Sequence, residues 1–146
     1  MNKIKIMFER GGELTVDLND RAPETVKRVL EILPLTSTVM HTRWCGREVS
    51  MGISTRKFPP LENHTNIVSK FDVTYWRNWE DPRAMPESPA AEAIALYYGP
   101  ELLRYHDGLI RVNVIGRVRW EQEELLEEIG ERIWKRGVEE VRVERI

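Results

Sequence analysis

Residues 3–33, KIKIMFERGGELTVDLNDRAPETVKRVLEIL, change their apolar period once, and where the change falls decides how the rest of the chain is read. Ile4, Ile6 and Phe8 alternate with Lys3, Lys5 and Met7, and Leu14, Val16 and Leu18 resume the alternation after Gly11-Gly12. A period of two belongs to a strand with one buried face, and paired glycines accept the positive φ of a tight turn without a Cβ clash. The stretch therefore predicts a β-hairpin. Beyond Asn19 the period lengthens: Val26, Val29, Leu30 and Leu33 are three and four apart, which is the apolar stripe of a helix. Pro23 suits a first helical position, Glu24 faces the positive helix end, and Pro34 stops the helix. The N-cap falls on either Asp20 or Ala22.

Further along, Thr36 to Trp44 and Arg47 to Ile53 are β-branched or alternating around Cys45-Gly46, predicting a second hairpin. Residues 54–66, with Pro59-Pro60, read as loop before a strand through Phe71, Val73 and Tyr75. Trp79 to Pro89 carries Pro82, Pro86 and Pro89, cannot supply a regular ladder of donors, and reads as an exposed loop. Ala93 to Tyr98 and Leu109 to Arg119 are strands. A helix follows with Leu125, Leu126, Ile129, Ile133 and Trp134 at helical spacing, ended by Gly137, and Val141 and Val143 alternate in a closing strand. The order is hairpin, helix, a run of strands, helix, strand, a mainly β pattern in which the last strand can pair with the first and leave no open edge.

Bulk properties bound the rest. A chain of 146 residues is the size of one domain, spanning 1–146, and buries a core without staples. Its net charge of −2, from 22 basic and 24 acidic residues, offers no field to draw in a polyanion, so nucleic acid is not an expected partner. The single Cys45 can form no internal disulfide and suits a reducing cytoplasm. No apolar run approaches a membrane span of roughly 18 residues, and Met1 to Arg10 alternates where a signal peptide would be continuously apolar. One glutamine, Gln122, beside many Glu and Arg residues resembles the balance of heat-adapted proteins.

Leu18 to Leu33, a strand followed by Asn-Asp-Arg-Ala-Pro-Glu-Thr-Val and an amphipathic helix, resembles the opening of the cyclophilins. The resemblance implies a closed antiparallel cyclophilin-like β-barrel of about eight strands with two capping helices. His41, Arg43-Trp44-Cys45-Gly46, Glu62-Asn63, Tyr98-Gly99, Gly108 and Asn113 resemble more specifically a prokaryotic cyclophilin-like family without an assigned activity, in which a serine tends to stand where this chain has Cys45. Cyclophilins work with an arginine directly after a Phe-His pair, then a Phe-Met pair and a glutamine, on the outer barrel face. Here Met40-His41-Thr42-Arg43 places the arginine one position late, on the opposite face, unless a bulge intervenes. Gln122 sits at the start of the last helix, so ordinary prolyl isomerase activity is not expected.

The same resemblance suggests that His41, Arg43, Trp44, Glu62, Asn63, Tyr98, Asn113 and Arg117 form a candidate pocket. Arg offers a planar fork and Asn a donor beside an acceptor, a set suited to a small anionic or polar molecule. The bland alternative is a solvated strand face, since Arg111, Asn113, Arg117 and Arg119 alternate with valines. An enzyme with Glu62 or His41 as base is a second reading. A homo-oligomer or peptide-binding module using Trp76, Trp79 and the following Pro-rich loop is a third, although those tryptophans could equally cover the barrel mouth. Glu62 and His64, with His41 or His106, lack paired ligand spacing, so no metal and no cofactor is expected. Cys45 lies on the strand face of His41 but roughly 13 Å along it, too far for a thiol-imidazole pair without a bend.

Overall fold

The alternation of the first 18 residues yields β1 (Lys3–Phe8) and β2 (Glu13–Leu18), joined across Gly11 and Gly12 at φ of 113° and 100°. This computed structural model describes residues 2–81, 83–88, 90–105 and 108–146. Pro82 and Pro89 of the predicted loop and His106 of the histidine set lie outside the described residues. The remaining barrel strands are β3 (Leu35–His41), β4 (Glu48–Gly52), β5 (Asp72–Arg77), β6 (Glu92–Tyr97), β7 (Val112–Val118) and β8 (Glu139–Arg145). Helix α1 spans Pro23–Glu31 and α2 spans Glu123–Arg136.

Every neighbouring pair is antiparallel, and the ladder runs β1-β8-β3-β4-β6-β5-β7-β2 before returning to β1. The eight strands therefore close on themselves, with Ile6 opposite both Leu14 and Val143. Closure satisfies every strand edge internally, as the pairing of last strand with first anticipates. Inward positions alternate along each strand and fill one core: Ile4, Ile6, Leu14, Val16, Val39, Met51, Val73, Tyr75, Leu96, Ile115 and Val143 among others.

Both helices lay their apolar stripes on this core. Leu126, Ile129 and Ile133 of α2 are buried, each contributing roughly 1.5–3 kcal/mol of transfer free energy. Leu125 and Ile129 approach Gly12, which places α2 over the barrel end that carries the hairpin turn. From the other end of β2 the chain enters α1, which buries Val26 and Val29.

The connections depart from the sequence reading. The strand predicted to reach Trp44 ends at His41, because Cys45 N–H donates to Thr42 O at 3.0 Å and Arg43–Cys45 turns as a 3-10 helix instead. Phe71, predicted inside a strand, takes φ of 82° and precedes β5, and β7 begins at Val112, three residues after the predicted Leu109. Short pairings embroider the loops: Ile67–Val68 with Glu101–Leu102, Arg104–Tyr105 with Gly108–Leu109, and His64–Thr65 beside β7.

Candidate functional site

The eight sequence-predicted site residues fall into four separate places. His41 is on the inner side of β3 under α2, its Nε2 sharing a 2.6 Å hydrogen bond with the Tyr98 hydroxyl and its ring edge-on to Trp134. Burial, reinforced by the Arg43 charge, lowers the His41 pKa to about 4. Arg43 lies 4.0 Å over the Trp134 ring and donates to the Trp134 carbonyl at 2.5 Å. Glu62, Asn63 and Asn113 gather instead at the start of α1. Glu62 Oε2 accepts from the Thr25 N–H at 2.7 Å and the Thr25 hydroxyl at 2.8 Å, and the Glu62 N–H donates to Asn113 Oδ1 at 3.1 Å. Asn113, fully buried, donates to Thr25 Oγ1 and to the Pro60 carbonyl, and Asn63 donates to the Val114 carbonyl. These side chains satisfy one another and clasp α1 to β7. Arg117 stands apart, 3.5 Å from Asp72 and donating to the Lys70 carbonyl.

The metal and thiol readings resolve in the same way. Glu62 turns to α1, His64 is exposed beside β7 and His41 is inside, and no three His, Cys, Asp or Glu side chains gather to hold a metal among the described residues. The Cys45 thiol donates to the Arg104 carbonyl at 3.0 Å, and burial pushes its pKa up to about 11, which makes it a poor nucleophile. Trp79 folds back onto the barrel, its ring edge-on to Tyr75 and its Nε1–H bound to the Arg111 carbonyl at 2.9 Å.

Only Trp44 of the predicted set lines the cleft that the fold leaves on the outside of the barrel wall. On β4, Val49 and Met51 point into the core while Glu48, Ser50 and Gly52 point outward; on β6, Ile94 and Leu96 point inward and Ala93, Ala95 and Tyr97 outward. The register sets Ser50 against Ala95 and Gly52 against Ala93, so four small residues form a flat floor. Around it rise Met40, Trp44, Trp76, Tyr97, Tyr105 and Ile110, enclosing about 270 Å³. The Trp44 and Tyr105 rings meet edge-to-face at 6.2 Å, and the turn at Arg43–Cys45 is what swings Trp44 into this position. A small apolar cluster of Cys45, Val68, Ala95, Tyr97, Leu103 and Val112 backs the cleft.

At one end Glu48 is 7% exposed, beside Thr42 and Cys45. Burial raises its pKa to about 7, with Glu101 adding to the rise and hydrogen bonds from Thr42 and Cys45 opposing it. At the other end Glu92 is buried and fully engaged, accepting from the Thr55 N–H and hydroxyl and from the Tyr75 hydroxyl. No basic side chain lines the cleft among the described residues, so the Arg–Asn chemistry predicted for an anion is not the chemistry found here. The sequence signal for this site was the pair of alternations Ser50-x-Gly52 and Ala93-x-Ala95, small residues of poor strand propensity where bulky ones are usual. A second, larger groove of about 1180 Å³ runs past Asn63, Arg117, Arg21 and Lys27, but Asp17, Asp20, Glu31 and Asp72 also line it and leave it without a dominant charge.

The cleft and barrel can be set beside known proteins. McbB, whose structure was solved in complex with tryptophan, aligns over 97% of this chain with a TM-score of 0.72 at 21% identity. This chain spans 44% of McbB, less than half its length, and the likeness is one of fold alone. The hypothetical protein AF2241 from Archaeoglobus fulgidus, solved in solution, aligns at 28% identity with a TM-score of 0.61, covering 99% of this chain and 95% of its own. Comparison with curated proteins finds no match. Residues 7–144 match the family described as Protein of unknown function (DUF3830), and the chain belongs to that family.

Proposed function

We propose that this chain is a binding barrel that holds a small, largely apolar molecule in the outer cleft, on a cyclophilin-like frame that lacks the prolyl isomerase set. The observation that carries the reading is the floor of Ser50, Gly52, Ala93 and Ala95 between aromatic walls. A sheet face built for packing carries large side chains or a covering element. Here the large side chains stand at the margins and small ones lie between them, and a concave apolar surface with a few polar groups at its ends is what ligand sites are made of.

Two residues that an isomerase would need are committed elsewhere. Arg43 is held on Trp134, and Gln122 accepts from the Thr15 N–H at 2.7 Å and donates to the Glu13 carbonyl at 2.9 Å. Glu62 and His41, the sequence candidates for a base, are bound to Thr25 and Tyr98 and do not line the cleft. The free, protonated thiol of Cys45 suits a reducing compartment such as the cytoplasm. None of the described helices is long and apolar enough to cross a membrane.

The tryptophan complex of McbB makes indole compounds sensible first probes. A Cβ at Gly52 would meet nothing within 4 Å, so Gly52→Val fills the cleft without straining the fold. Indole titrated into the full chain is expected to shift the NMR signals of Ser50, Ala95 and Trp76. Gly52→Val should weaken that binding at least tenfold while the melting temperature stays within a few degrees. Indole shifts that map elsewhere, or that survive Gly52→Val unchanged, would remove the cleft as the site.

A further inference from the structure

We propose, resting on the reading of the outer cleft as the binding site, that its ligand is an organic amine: a flat apolar body lying on the small-residue floor, with its ammonium group against the Glu48 carboxyl. The charge inventory of the cleft points this way. Glu48 and Glu92 are the charged side chains lining it among the described residues. Glu92 has both oxygens occupied by Thr55 and Tyr75 and serves the barrel. Glu48 has only neutral partners, and among the described residues no ion pair reaches it. A carboxyl this buried is costly to ionise without a cation, and the empty space beside it is where a ligand cation would sit.

The walls favour the same chemistry. Ammonium groups are attracted to the faces of Trp and Tyr, and Trp44, Trp76, Tyr97 and Tyr105 surround the floor. An anion would face Glu48 with no fixed cation to hold it among the described residues. The volume, about 270 Å³, suits one or two fused rings with a short side chain.

Proton linkage makes the inference measurable. The groups that face Glu48 are Cys45 in the 3-10 turn, Tyr97 on β6 and Glu101 in the loop after it, with Arg104 beyond Cys45. Glu101 is itself held by Arg47 at 3.1 Å, and burial keeps Tyr97 and Cys45 protonated at neutral pH. Among the described groups that face one another here, Glu48 is therefore the one whose charge changes between pH 6 and pH 8, and an amine that requires its anion binds better as pH rises.

Calorimetric titration of the full chain with tryptamine, indole and indole-3-acetate tests this. Tryptamine should bind tightest, gaining about tenfold between pH 6 and pH 8, while indole stays flat and indole-3-acetate binds weakest. Glu48→Gln should erase the advantage of tryptamine over indole. If indole binds and responds to Gly52→Val, but tryptamine gains nothing over it or keeps its gain in Glu48→Gln, the amine is the wrong ligand and the cleft stands. The pH series on the unaltered chain reads the same question should Glu48→Gln fold poorly: a flat tryptamine profile overturns the inference. If none of the three binds, the cleft reading falls with it.

Discussion

His41 sits between Tyr98 and Trp134 with its Nδ1 buried and facing no partner among the described residues. Protonating it would put a second cation beside Arg43 in a desolvated place, which is why its pKa falls from 6.5 to about 4. A base whose folded pKa is depressed stabilises the fold fully above its unfolded value, and that stability is lost as pH drops from 6.5 towards 4. Urea denaturation should show the stability difference between the unaltered chain and His41→Gln shrinking by about 2 kcal/mol from pH 7.5 to pH 4.5. A constant difference would mean that His41 takes no proton in that range. Glu48 runs with the opposite sign. Its raised pKa means that ionisation works against folding between 4.5 and about 7, so Glu48→Gln should be the more stable form at pH 8 by about 3 kcal/mol and should lose that lead below pH 4.5.

At the scale of elements, α1 is capped by a residue 37 positions away. Ala22 at its N-terminus offers no side-chain acceptor, and Glu62 takes that place on the Thr25 N–H. Glu62→Ala would leave the Thr25 N–H and hydroxyl without their carboxylate acceptor in a buried site, while the Glu62 N–H keeps its bond to Asn113, and should cost about 1–2 kcal/mol in chemical denaturation; Glu62→Gln, which keeps an acceptor oxygen, should cost less. Equal losses for the two would show that the charge, not the acceptor, holds the helix. Of the two sequence candidates for the N-cap, Ala22 holds the position and Asp20 does not, but the acceptor comes from Glu62, and a cap supplied through space leaves no trace in local spacing. Elements with unbroken periods were legible: β1, β2, both helices and β8 lie where their alternation or stripe put them. The turn after His41 was not, since Thr42 to Trp44 continue a plausible strand pattern, which the hydrogen bonds of Cys45 to Thr42 and of Gly46 to Arg43 break. The cleft escaped for a related reason. Its floor joins β4 to β6 some 40 residues on, and small side chains announce themselves by what they leave out.

Over the whole molecule, the ring closes where β8 inserts between β1 and β3, and a buried charge cluster fastens that join. The Glu139 side chain, fully buried, receives Arg132 of α2 at 2.9 Å and Arg10 at 3.1 Å, while Arg10 also donates to the carbonyls of Gly137 and Val138. Removing the one acceptor that two guanidinium groups share should cost about 3 kcal/mol, so Glu139→Ala should lower the urea midpoint sharply, with Glu139→Gln intermediate. A midpoint unchanged by Glu139→Ala would show that the ladder alone holds the ring.

The floor of Ser50, Gly52, Ala93 and Ala95 faces away from the sealed interior. On the reading proposed above, a guest there would open none of the barrel's ladder bonds, and its residence would be timed by Trp44 and Tyr105 at the rim.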